Sequence, residues 1–282
     1  MRARLLDTAE EFLDATLDLR AADPVRTNVL GSVALSVVEG ASYDAQSWFV
    51  VEGDDGTVVG AALWTVPYRL LCGPMDDEAA HALGRTALAR SQELGVVIPG
   101  VVAPLGVAEV VAAGVGGVWS TAMRERILVL HDYLPPSPVS GAGRGASDDD
   151  LDLLVGWHRA FVAEAGLNDH GVEEVIRRNR SRLWIWEVDG VPVSYAGHAP
   201  VVPTPAGAVG RVGPVYTPPE HRNRGYGTAV TAHVVEHLLP VTSTVMLYTD
   251  DANPTSNHVY ENLGFVHEDD VVELAPVDAE AG

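Results

Sequence analysis

The sequence predicts an α/β fold, a mixed β-sheet flanked by helices, built twice in tandem. Three observations predict it. The chain has 282 residues, which suits two modules on the usual prior of about 100–200 residues per domain. A stretch rich in Pro, Gly, Ser and Ala, YLPPSPVSGAGRGASDDD, breaks the apolar periodicity and has linker chemistry. The segments on either side of it repeat one succession of signals. The expected organisation is a first module over 1–135, a linker over 136–147 and a second module over 148–282.

Each module opens with a helix. Thr8-Ala-Glu-Glu11 has the capping pattern of Ser/Thr followed by an acid three residues on, and Ser147-Asp-Asp-Asp150 nearly repeats it. Leu151, Leu154, Trp157 and Phe161 then recur at helical spacing. A second helical stretch follows near 24–38 and again near 171–180. Next comes a hairpin, an apolar strand, an acid-Gly turn and a second strand, in SWFVVEGDDGTVVGAALW and in RLWIWEVDGVPVSYAGH. Trp48 corresponds to Trp184, and Gly73-Pro74 to Gly213-Pro214. VVIPGVVAP and VMLYTDDANP each read as a strand running into a helix. A closing strand is expected near 125–130 and near 270–274. The order per module is therefore α-α-β-β-β-α-β-α-β.

Charge excludes some functions. Lys+Arg total 18 against 39 Asp+Glu, a formal charge of −21. Every one of those cations is Arg. Such an excess argues against nucleic acid, whose phosphates need a basic face, and against an anionic membrane surface. Solubility accounts for the acidity, and so would a cationic amine substrate. The single cysteine, Cys72, lies in an apolar run and reads as packing. No signal peptide or spanning segment is evident, so a cytoplasmic location is expected.

Residues 210–240 carry the first motif: a strand to Thr217, a loop over 218–224 and a helix from Gly225. The loop holds Arg222-Asn223-Arg224-Gly225-Tyr226-Gly227. Glycines at a strand-to-helix turn let backbone approach a ligand, and the helix N-terminus offers free N–H groups and partial positive charge. This is an anion cradle, to which Arg222 and Arg224 would add donors. It is neither the dinucleotide fingerprint nor a Walker A loop, which needs a Lys. Residues 247–265 carry the second motif. A strand ends at Asp250-Asp251-Ala252-Asn253, Asn253 caps a helix that starts with Pro254, Tyr260 lies two turns on, and Gly264 stops the helix.

Together these motifs resemble the GNAT superfamily of acetyl-CoA-dependent N-acetyltransferases. Arg222, Gly225 and Gly227 match the family's Q/R-x-x-G-x-G/A element. Asn253, Ser256, Tyr260, Gly264 and Phe265 match its second element. The resemblance covers 148–274 well and 1–131 as a degenerate copy. It implies acetyl-CoA as co-substrate, no metal, and acetyl transfer to a primary amine by direct attack. The acceptor would be a small-molecule or peptide amine, and the chain a monomer or homodimer. Backbone from Arg222 to Thr228 (Asn223, Arg224, Gly225, Tyr226 and Gly227 included) would hold the pyrophosphate. Val215 to Thr217 would pair with pantetheine, the Val215 N–H would polarise the thioester carbonyl, and Asn253 would touch the cofactor arm. Tyr260 would assist the departing thiolate. A non-catalytic acyl-CoA-binding scaffold and a transferase for longer acyl groups are the alternative readings.

The base is not identified. Glu187, His198, Glu220, Asp250 and Asp251 are candidates, and water could serve. His233 and His237 stand at i, i+4 without a third metal ligand. In the first copy Gly73-Pro74 is followed by Met75-Asp76-Asp77-Glu78, with no Gly pair and no Arg. Pairing Gly116 with Gly264 sets Ala112 opposite Tyr260 and Leu105 opposite Asn253. The first module is expected to lack cofactor binding and to complete the substrate pocket or bury one face of the second module.

Overall fold

The computed structural model describes residues 1–277; the last five residues of the second module lie outside the described residues. In chain order the elements are β1 (Arg2–Leu6), α1 (Ala9–Ala15), α2 (Leu17–Ala22), α3 (Asn28–Val38), β2 (Ala45–Glu52), β3 (Val58–Val66), β4 (Leu70–Cys72), α4 (Asp77–Leu94), β5 (Val101–Ala103), α5 (Leu105–Val115) and β6 (Trp119–Leu130). The second half follows with β7 (Ala142–Gly145), α6 (Leu151–Glu164), α7 (Val172–Asn179), β8 (Leu183–Val188), β9 (Val191–His198), β10 (Val209–Tyr216), α8 (Tyr226–Leu238), β11 (Thr244–Asp250), α9 (Pro254–Asn262) and β12 (Phe265–Pro276).

The α/β class and the repeated order hold, with one strand more at the start of each half and one short helix more, α2, in the first. β1 and β7 carry too little apolar pattern to be read from sequence. RARLL is half charged, and AGRG has no apolar side chain of any size. Both are edge strands held by backbone pairing, β1 to β2 and β7 to β8. Residues 142–145 are thus strand where linker was expected. Thr8 caps α1 through the Glu11 N–H, and Ser147 and Asp150 form the expected capping box.

All twelve strands join one sheet in the order β1-β2-β3-β4-β5-β12-β6-β11-β10-β9-β8-β7. Replacing each strand by its counterpart in the other half reverses this order and reproduces it. A pseudo-twofold axis therefore passes between β12 and β6. Their antiparallel register agrees, since Phe265 faces Leu130 at one end and Pro276 faces Trp119 at the other. A strand closes each half as expected, β6 and β12, but each pairs across into the other half. β6 pairs with β11 of the second half, and β12 pairs with β5 of the first. Periodicity locates a strand but carries no information about its neighbour.

α4, α5, α8 and α9 cover one face of the sheet. Their cores are built on Phe49, Trp64 and Val272 in one half and on Ala196, Val212, Val245 and Leu128 in the other. α1–α3, α6 and α7 cover the opposite face, on Trp48, Val50 and Leu63, and on Ile185, Tyr195 and Tyr216. Cys72 is buried, as its apolar context implied. Among the described residues no helix is long and apolar enough to cross a membrane.

Candidate active site

The sheet opens at one place in the second half. β10 and β11 run parallel and pair only from Val209 with Thr244 to Val212 with Leu247. Pro214 has no N–H for the ladder, and the register of β10 on β9 shifts between Val212 and Val215. Beyond that bulge β10 follows β9, with Val215 opposite Ala196 and Tyr216 opposite Tyr195. β11 meanwhile continues along β6 to Asp250, opposite Glu125. A wedge is left between the strand ends, and the β10 edge at Val215 and Tyr216 has no strand on that side. Such an edge suits an extended chain that adds main-chain hydrogen bonds.

The loop 217–225 leads from that edge to α8. Asn223 has φ of 60° and Gly225 has φ of 79°, two left-handed residues that turn the chain sharply into the helix. Gly225 is the N-cap and supplies no side-chain cap, so the first-turn N–H groups of α8 point outward unclaimed by any cap side chain. The space is tight around the glycines. A Cβ on Gly225 would stand 3.0 Å from Val139 Cγ1, and one on Gly227 would stand 3.2 Å from Thr217 Oγ1. Thr228 completes the first turn, half-buried, and Tyr226 is buried against the segment before β7. These features fit a pyrophosphate: open donors, a helix dipole and no β-carbon in the way.

The two arginines behave differently. Arg222 Nε donates to the Thr217 carbonyl at 2.9 Å, and its Nη2 donates to both oxygens of Glu164 at 2.9 and 2.7 Å. Tyr216 also donates to Glu164, at 3.1 Å, and Arg222 lies over its ring. Arg222 therefore braces the loop against α6, where an anion donor was expected. The nearby carboxylate wins its guanidinium by forming a two-point contact. Arg224 is exposed and, among the described residues, makes no ion pair. Ser194 fixes the strand end by donating to the Tyr216 carbonyl and sharing a hydrogen bond with Thr217 Oγ1.

Across the wedge stands α9. Asn253 is exposed and caps the helix by accepting from the Ser256 N–H at 3.1 Å. Tyr260 is buried in the same apolar cluster that Val215 packs against, edge-on to Phe265. Burial pushes its phenol up to about 12, so it is a proton donor at neutral pH. Among the described residues its hydroxyl makes no hydrogen bond.

The candidate bases separate. Arg144 claims Glu187 at the far edge of the sheet. His198 stacks on Trp184 and bonds the Ala199 carbonyl, and burial lowers its pKa. His233 meets Trp186 edge-on and His237 lies tilted on Trp184 in the same cluster, toward the C-terminal end of α8. Glu220 is exposed on the loop. Only Asp250 and Asp251 stand at the mouth of the wedge. Asp250 accepts from the Ala252 N–H, and Asp251 is within 3.9 Å of Arg126. Sequence reading missed a further acid beside Asp250, Glu125. It lies on β6, which the sequence assigned to the other module.

The corresponding place in the first half is filled. Asp76 caps α4 by accepting from the Ala79 N–H, and Asp77 and Glu78 occupy the first turn. The chain's own ammonium group sits 2.8 Å from Glu78. Ala112 is buried opposite the position of Tyr260.

Comparison with known proteins shows family and fold similarities. Residues 148–265 match the acetyltransferase (GNAT) family. A mycothiol acetyltransferase from Acidimicrobium ferrooxidans is 29% identical over 261 residues, covering 81% of this chain and 83% of that protein. A tandem GNAT protein from the clavulanic acid biosynthesis pathway shares the fold at a TM-score of 0.63 and 18% identity, over 98% of this chain and 100% of that one. A GCN5-related N-acetyltransferase from Kribbella flavida does so at 0.62 and 18% identity, over 93% and 97%.

Proposed function

We propose that this chain, whose residues 148–265 match the acetyltransferase (GNAT) family, is an acetyl-CoA-dependent N-acetyltransferase with one active site, between β10, α8 and α9. The observation that carries this reading is the contrast between two equivalent helices. The N-terminus of α8 has Gly225 as an uncapped N-cap, whereas α4 is capped by Asp76 and lined by two more acids. Carboxylates at a helix N-terminus satisfy the dipole and repel phosphate. An anion is thus favoured in the second half and opposed in the first.

Acetyl-CoA, when bound, supplies an acetyl thioester to an amine. The chain's residues have four tasks. The α8 N-terminus, from Asn223 to Thr228, binds the pyrophosphate. The free β10 edge at Val215 to Thr217 holds the extended arm, and the Val215 N–H donates to the carbonyl oxygen as charge develops there. Asn253 keeps the α9 cap beside that arm. Tyr260 hydrogen-bonds the sulfur as it departs. A phenol near 12 is a weaker acid than a thiol near 8.5, so Tyr260 stabilises developing charge without giving up its proton beforehand. The acceptor is a primary amine in a cytoplasmic setting.

Thiol release from acetyl-CoA in the presence of amines tests the reading. Tyr260→Phe is expected to lower kcat at least about tenfold, about 1.4 kcal/mol in the barrier, with acetyl-CoA affinity by calorimetry nearly unchanged. An unaltered kcat would return Tyr260 to packing. Tight acetyl-CoA binding with no amine-dependent release would favour a scaffold.

A further inference from the structure

On the sheet face opposite α8 and α9 the two halves leave a cleft. Its walls are the β3–β4 turn of the first half, with Pro67, Tyr68 and Arg69, and the α6–α7 loop of the second, with Leu167, Asn168 and Asp169. They enclose about 370 Å³. Tyr68 ties the walls together by donating to the His170 carbonyl at 2.6 Å. The pseudo-symmetric place is closed. There α3 packs directly on the β9–β10 loop, where a Cβ on Gly31 would stand 2.7 Å from Val202. Arg211 fills the remainder and donates to Asn28 and Ser32. Only one of the two equivalent clefts is open, and it lies at the end of the sheet where the β10–β11 wedge opens.

Side chains alternate across β6. Leu128 joins the cluster under α8, and Ile127 joins the one on the cleft face, with Met246, Val271 and Val209. Glu125 is two residues from Ile127 and shares its face. In register it lies between Asp250, the last residue of β11, and Val271 of β12. It is half-buried, and among the described residues its carboxylate accepts no hydrogen bond and makes no ion pair. Its neighbours are otherwise engaged. Arg69, from the cleft wall, pairs with the buried Glu273, and Arg211 is held by α3. Asp250 accepts from the Ala252 N–H. Tyr248, on the same face of β11, lies beneath Arg211. Burial first, and then the Glu273 charge, raise the Glu125 carboxyl above the usual carboxylate range. Asp250 adds to the rise, while Arg211 and Arg69 oppose it.

We propose that Glu125, on the strand lent by the first half and behind the Arg69 wall of this cleft, is the base that deprotonates the acceptor ammonium. The proposal rests on the transferase reading above. The step is balanced as follows. One ammonium N–H bond breaks and its proton forms an O–H bond on Glu125, which passes it to solvent. The freed nitrogen lone pair forms the N–C bond to the acetyl carbon as the C–S bond breaks, and a second nitrogen proton ends on sulfur. Base and thiolate partner then stand on opposite faces of the sheet, Glu125 on the cleft side and Tyr260 on the α9 side. This arrangement lets the nucleophile and the leaving group act without competing for space.

The test is kcat/KM against pH for the wild type, Glu125→Gln and Glu125→Asp. The acceptor probes are benzylamine, spermidine, glucosamine and alanine methyl ester, with thiol release as the readout. The wild type should lose activity as pH falls through the raised carboxyl. Glu125→Gln should lose that limb and at least about 100-fold in rate, Glu125→Asp should recover part of both, and all three should bind acetyl-CoA within about twofold by calorimetry. A Glu125→Gln rate within twofold of wild type across the pH range overturns the assignment and leaves the transferase reading intact. A wild type that binds acetyl-CoA but releases no thiol with any probe overturns both.

Discussion

Tyr260 and His158 show how one physical cause, burial, serves chemistry in one place and stability in another. Tyr260 is kept protonated next to the wedge. His158 hydrogen-bonds the Tyr195 hydroxyl at 2.7 Å, and burial lowers its pKa to about 4. The folded protein therefore holds it neutral, whereas the unfolded chain protonates near 6.5. Between those values the unfolded state binds more protons, so stability must fall as pH falls from about 6.5 to 4. The loss from this residue is on the order of 3 kcal/mol. Urea unfolding of wild type and His158→Gln across that range should show a shallower decline in the variant, and equal slopes would contradict it. Residue identities in the motif region were legible in the sequence because glycine, proline and capping residues have strong local preferences. Gly225 starting α8 and Asn253 capping α9 are of this kind. The role of Arg222 was not legible, since its partner Glu164 lies at the other end of the half, on α6.

At the scale of elements, the exchange of β6 and β12 is the decisive feature. Each half supplies one strand to the other, and β11 pairs on one side with β10 and on the other only with β6. Residues 136–282 alone would leave β11 with an open edge and β12 without β5 or β6. Exposed edges of this sort drive association. That fragment is expected to aggregate, or to dimerise by repeating the exchange with itself, and coexpression with 1–135 should restore a monomeric assembly. A monomeric, cooperatively unfolding fragment by size exclusion and calorimetry would contradict the exchange. The succession of elements was readable, because hairpin turns and helix caps are local. Strand neighbours were not, because pairing partners are chosen by sterics over more than 100 residues. That same gap hid Glu125, whose strand pairs with β11 of the other half.

At the scale of the molecule, the pseudo-symmetry reconciles the acidic excess with the proposed anionic cofactor. The two halves place equivalent helices at equivalent strand ends, and sequence alone distinguishes them. In the first half Asp76, Asp77 and Glu78 occupy the helix start. In the second the same position is open at Gly225, Asn223 and Arg224. On the proposed reading, one half is the anion site and the other supplies strand, cleft wall and proton acceptor. Titration calorimetry with acetyl-CoA measures this division most directly, on the wild type and on Gly225→Glu. The variant places a carboxylate at the helix N-terminus, as the first half already does. One acetyl-CoA per chain, with affinity at least about tenfold weaker in the variant, is the predicted result. Two per chain, or undiminished affinity in Gly225→Glu, would contradict the account.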